Sequence, residues 1–114
     1  MSKREPLLYL QDILTSLSRI KDYTKGLSFE DFSNDWKTID AIVRNLEIIG
    51  EAARNMPEEV LEKYPDIPWG GMVSMRNKII HEYFGVDMDI LWKTIQEDLE
   101  PLKNKIEEMV KEYA

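Results

Sequence analysis

The sequence has no cysteine and a single histidine among its 114 residues. Without cysteine there can be neither a disulfide framework nor a thiolate metal site. One imidazole cannot build a multi-histidine site within one chain, so structural zinc is excluded. No uninterrupted apolar run is long enough to span a bilayer. The N-terminus, Met1 to Glu5, is charged and leads straight into an amphipathic stretch, so neither a signal peptide nor a membrane span is expected and the cytoplasm is the expected location. Basic residues are outnumbered, with 15 Lys and Arg against 22 Asp and Glu for a net charge of −7. That balance argues against a broad electrostatic grip on nucleic acid, because such binders gain most of their affinity by neutralising phosphates. Any nucleic-acid contact must be local, and the simplest consequence of the acidity is solubility. Also missing are an alternating strand pattern of useful length, an internal repeat and any low-complexity segment.

What is present is a folded balance, 43% hydrophobic and 32% charged, in a chain of the length of one domain, residues 1–114. From about Glu5 to Lys25, Leu7, Leu10, Leu14, Leu17 and Ile20 recur at three- and four-residue steps, which predicts an amphipathic helix that Gly26 stops. Ser28 and Asp31 predict a weak capping box and a short helical turn carrying Phe29 and Phe32 inward. A second long helix is expected from about Asp35 to Asn55, with Ile39, Ile42, Val43, Leu46, Ile49 and Ala53 on its apolar face. Gly50 lies on the same side and would let another backbone approach closely. Asp40, Arg44, Glu47, Glu51 and Arg54 form a charged stripe, spaced to pair with one another and most simply read as a solvated face. Pro57 should begin a short helix through Tyr64, and Pro68 the next, which carries Met72, Val73, Met75, Ile79, Ile80 and Phe84 until Gly85 ends it. Asp87 should cap a final helix bearing Ile90, Leu91, Ile95, Leu99, Leu102, Ile106 and Val110, kinked or broken at Pro101. The expected fold class is all-α: an antiparallel bundle of about four main helices with short helical turns.

One helix face is chemically unusual. With about 100° per residue, Arg76 falls in the middle of an apolar arc, flanked within about 80° by Val73, Ile80 and Phe84 and within about 100° by Met72, Met75, Ile79 and Tyr83. A guanidinium there cannot shed its charge, so it needs a carboxylate, a phosphate ligand or a wet interface. Asn77 and His81, four apart, follow one edge of the arc, and Tyr83 stands almost directly above Arg76. A structural pairing of Arg76 with Glu47 or Glu51 satisfies the same requirement, and a lone histidine on a helix is usually a solvent-edge or hydrogen-bonded residue.

The segment Arg76-Asn77-Lys78-Ile79-Ile80-His81-Glu82-Tyr83 resembles the HEPN motif of arginine, polar residue, spacer and histidine, in the tyrosine-ended form of the HepT-like branch. The run from Ala41 through Arg44-Asn45-Leu46-Glu47-Ile48-Ile49-Gly50-Glu51-Ala52-Ala53-Arg54 resembles the signature helix of the same family. Pro68-Trp69 and Leu91-Trp92 fit as well, so the likeness covers nearly the whole chain. It implies a helical bundle that pairs its motif across a homodimer, and a metal-independent endoribonuclease toxin with no cofactor. The implied partner is an MntA-like minimal nucleotidyltransferase antitoxin, which attaches AMP to Tyr83.

The residues suit that chemistry. RNA can be cut by its own 2′-hydroxyl, so the protein has to move protons and stabilise added negative charge. An imidazole with a reference pKa of about 6.5 serves the first task and a permanently charged guanidinium the second. His81 is thus expected as general acid or base and Arg76 as phosphate stabiliser, with Asn77 orienting the phosphate or His81 and Tyr83 hydrogen-bonding at the cleft. One proton must be taken and one given, and a symmetric dimer supplies two histidines. Two other functions stay open: a catalytically silent HEPN module that binds a nucleotide or docks a nucleotidyltransferase, and a purely structural helical dimer.

Overall fold

The computed structural model describes residues 5–80 in full, the backbone of His81, and residues 85–114. Helix α1, Pro6–Thr24, opens on a proline at its first position, where no amide hydrogen is needed. It closes with the Thr24 hydroxyl donating to the Ile20 carbonyl at 3.0 Å, and Gly26 then takes φ +79°, the left-handed conformation that suits glycine after a helix. Helix α2, Phe29–Ser33, is capped by Ser28 Oγ, which accepts from the Asp31 amide at 3.0 Å. Helix α3, Trp36–Arg54, is capped by Asp35, whose carboxylate accepts from the amide of Thr38 at 3.1 Å and from its hydroxyl at 2.7 Å. After α4, Glu58–Lys63, and α5, Trp69–Ile79, two short strands, β1 Ile80–His81 and β2 Gly85–Val86, pair antiparallel. Asp87 Oδ1 then caps α6, Met88–Lys93, at the Ile90 amide.

Helix α6 runs through a widened π-helical turn, Thr94–Asp98, into α7, Leu99–Tyr113. Pro101 explains the interruption: it has no amide hydrogen, and its ring excludes the carbonyl four residues back, that of Glu97. The widened turn also carries one extra residue between the buried positions Thr94 and Leu99, so that Leu91 and the Leu99, Leu102, Ile106 and Met109 stripe all meet the core.

Helix α1 packs on α3 and α7, and α3 packs on α5, around one core. The expected faces are largely those buried, with differences of phase. In α1 Ile13 is buried and Leu7 and Leu14 are half-buried. In α7 Met109 is buried in place of Val110, which is half-buried. Phe32 is buried, whereas Phe29 is exposed and lies edge-on to Trp92 at 5.9 Å between centroids. Phe32 meets the same indole at 4.9 Å, which ties α2 to α6. Among the described residues no helix is long and apolar enough to cross a membrane.

The helix expected to reach Phe84 ends at Ile79 instead. Ile80 is extended, with φ −99° and ψ 116°, and pairs with Val86 across the ladder. Two adjacent β-branched isoleucines and a β-branched partner favour this exchange of one more helical turn for a strand pair. Gly85 does end the motif, but as a strand residue with φ +80°. The amide of Asp87 then returns to the Ile79 carbonyl at 2.7 Å, satisfying a group at the helix end.

Candidate active site

The site is organised by the approach of α5 to α3. A β-carbon placed on Gly50 would lie 3.4 Å from the Met72 carbonyl oxygen and 3.8 Å from the Val73 Cα, so the two backbones meet where α3 has no side chain. Three residues back along α3 is Glu47, and three residues forward from Val73 is Arg76. Because the helices run antiparallel, these two come face to face, and Arg76 Nε donates to Glu47 Oε1 at 2.9 Å. The close approach at Gly50 thus sets the register of the ion pair.

Both partners are substantially solvated, with side chains 48% and 36% exposed. An ion pair in that setting contributes only about 0–1 kcal/mol to stability, so its effect is on orientation. Arg76 has the carboxylate partner and the solvent access that its place in an apolar arc requires. Ile80, which would have helped to close the apolar arc above it, has left the helix, and Glu47 is the partner Arg76 takes. The bond is made through Nε, and the two terminal nitrogens have no hydrogen-bond acceptor among the described residues.

Arg76 and Asn77 open onto a cleft of about 680 Å³ between α1, α3 and α5. Across it stands the charged stripe of α3, including Arg44, Glu47, Glu51 and Arg54, which sequence spacing alone assigns to a solvated face. Arg54 Nη1 pairs with Glu51 Oε1 at 2.9 Å along the same helix. The signal for this role lay in the contact glycine: Glu47, one turn before Gly50 on its polar edge, is the residue that meets Arg76 of α5. Helix α1 adds Tyr9 and Asp12 to the wall, neither of which the sequence singled out.

The expected constellation is therefore divided. Arg76 and Asn77 occupy the last turn of α5 and are exposed. The backbone of His81 lies on β1, opposite Gly85 and past the helix end. The spacing argument that carried the helix of Arg76 on through His81 does not hold, since α5 ends at Ile79 and the His81 backbone is on β1. Tyr83 itself lies outside the described residues, as does the His81 side chain. Among the described residues no group of three or more histidine or carboxylate side chains is placed to hold a metal ion.

A family model described as ribonuclease HepT-like matches residues 13–109. A protein named "Probable ribonuclease HepT" from Thermococcus cleftensis is 48% identical over 109 residues, covering 96% of this chain and 99% of that protein. One named "Putative RNase" from Methanocaldococcus jannaschii is 40% identical over 112 residues, covering 98% and 93%. Another from Caldanaerobacter subterraneus, similarly named, is 43% identical over 107 residues, covering 94% and 96%. No solved structure gives a significant match. With nearly its whole length matched and its α3 and α5 motifs meeting at one cleft, the chain belongs to the HepT-like ribonuclease family.

Proposed function

We propose that the protein is a metal-independent endoribonuclease, the toxin of a toxin–antitoxin pair, that cuts RNA through its own 2′-hydroxyl. The observation that supports this most is the Arg76 guanidinium, steered by Glu47 through Nε with its terminal nitrogens left for another anion at a cleft. In the reaction the 2′-oxygen forms a bond to phosphorus and the bond to the 5′-oxygen breaks. One group removes the 2′-hydroxyl proton and another delivers a proton to the departing 5′-oxygen. His81 performs these transfers, and Arg76 stabilises the charge that builds on the phosphoryl oxygens. Asn77 orients the phosphate or His81. A homodimer brings two copies of His81 to the reaction, one as base and one as acid; light scattering that gives a monomer mass at micromolar concentration contradicts this arrangement.

Purified protein incubated with labelled RNA in chelator tests the reading. Cleavage with 2′,3′-cyclic phosphate and 5′-hydroxyl ends is expected, and intact RNA contradicts it. A second reading, a silent HEPN module that docks a nucleotidyltransferase, draws on the acidic chain and on the charge of Arg76 being already balanced by Glu47. Under it the same RNA stays uncut.

A further inference from the structure

The cleft holds three arginines and three acids, Asp12, Glu47 and Glu51, so it is neutral in a chain of net charge −7. Its cations are not equivalent. Arg54 is engaged by Glu51 and Arg76 by Glu47, both at 2.9 Å. Arg44 is exposed and, alone among the cations of this cleft, has no carboxylate or hydrogen-bond partner among the described residues. It sits one turn before Glu47 on the same edge of α3, on the order of 4.5 Å along the axis from the residue that holds Arg76.

We infer that Arg44 is a second phosphate-binding residue, which takes a phosphate neighbouring the one held by Arg76 on the same single strand of RNA. This rests on the ribonuclease reading and extends it from the scissile bond to the substrate's backbone. A planar guanidinium that is solvated, unengaged and already on a rigid helix needs no rearrangement to make paired hydrogen bonds to a phosphate. Replacing water at that group by a phosphate releases condensed cations from the RNA, and this is how an acidic protein with a local site gains affinity for a polyanion. The carboxylates of the same wall repel a strand that is out of register, so the cleft accepts phosphate at the cations and not along its whole length.

The test compares wild type with Arg44→Gln and Arg44→Lys on two substrates, a dinucleoside monophosphate, which has the scissile phosphate alone, and a labelled oligoribonucleotide. Arg44 is exposed and glutamine is a good helix former, so both variants should keep the wild-type helical content. Arg44→Gln should raise KM for the oligonucleotide about tenfold, as loss of one charged hydrogen-bonded contact does, with kcat and dinucleotide cleavage unchanged and partial recovery in Arg44→Lys. Binding of the oligonucleotide to the His81→Ala protein, followed against salt, should lose about 0.7 from its logarithmic slope when Arg44→Gln is added. An unchanged KM and salt slope overturn the inference while leaving the nuclease intact. An equal loss on both substrates also overturns it, because Arg44 would then act at the scissile phosphate. If the wild type cuts neither substrate the ribonuclease reading fails, and the salt slope alone upholds or removes the second phosphate contact.

Discussion

Arg76 of α5 donates through Nε to Glu47 of α3 at 2.9 Å, across 29 residues of sequence, and both residues line the cleft. The two residues belong to two separate sequence motifs, and this contact is where those motifs meet. Because both side chains are well solvated, Glu47→Gln should shift the urea-unfolding free energy by no more than about 1 kcal/mol. Loss of the steering contact should nevertheless slow RNA cleavage, by about ten- to a hundredfold, since small misplacements of a charged group at a reacting centre have effects of that size. A variant unfolded in the absence of urea, or one that cuts at the wild-type rate, would show that the pair is structural only.

The register of that pair depends on Gly50. A single methyl at this position would stand 3.4 Å from the Met72 carbonyl, an ordinary contact, and alanine also gains helix propensity. Gly50→Ala should therefore fold with near wild-type stability. Gly50→Val has to push α5 away and should cost about 1–3 kcal/mol in chemical denaturation, together with cleavage activity. Equal stability of the valine variant and wild type contradicts the close approach described here.

These two residues also show how much the sequence disclosed. The apolar stripe of α3 and the contact role of Gly50 are legible from periodicity and side-chain size. So are the caps Ser28 and Asp87, the start of α3 near Asp35 and the break before Pro101, because each depends on a few neighbouring residues. The end of α5 was not legible. Helical phase continues smoothly through Ile80 and Phe84, and only the pairing of Ile80 with Val86, a non-local contact, decides between helix and strand. The wheel that carried His81 along the face of α5 failed for the same reason. Glu47 was visible as one of two acids able to reach Arg76, but the choice between it and Glu51 is made by the antiparallel register at Gly50.

The cap of α3 titrates. Hydrogen bonds from the Thr38 hydroxyl and then the Thr38 amide hold the Asp35 carboxyl below its ordinary value of 3.8. A carboxylate whose pKa is depressed in the folded state contributes stability above its unfolded value, and that contribution is lost as pH falls through the folded one. Asp35→Ala should lower the melting temperature at pH 7, and the gap from wild type should narrow as pH falls below 3.8. Asp35→Asn, which keeps a capping oxygen, should recover much of the loss at neutral pH. A gap that is constant with pH would mean that the ionised carboxylate contributes nothing.

Control of the proposed toxin is expected at Tyr83. Its hydroxyl would attack the α-phosphorus of ATP held by a minimal nucleotidyltransferase, with pyrophosphate leaving, so that AMP is attached near the motif and both its charge and its bulk oppose RNA. Incubation with such an enzyme and ATP should give an AMP adduct by intact mass. No adduct on wild type, or an undiminished adduct on Tyr83→Phe, places regulation elsewhere.

The proposed division of labour between Arg76 and His81 is read directly by one comparison: cleavage of labelled RNA in chelator by wild type, Arg76→Ala and His81→Ala, with helical content checked by circular dichroism. Arg76 is exposed on α5, and its ion pair is of the weakly stabilising kind, so Arg76→Ala should stay folded. Wild type should cut the RNA, and each variant, with wild-type helical content, should leave it intact. Full cleavage by either folded variant would contradict that division of labour.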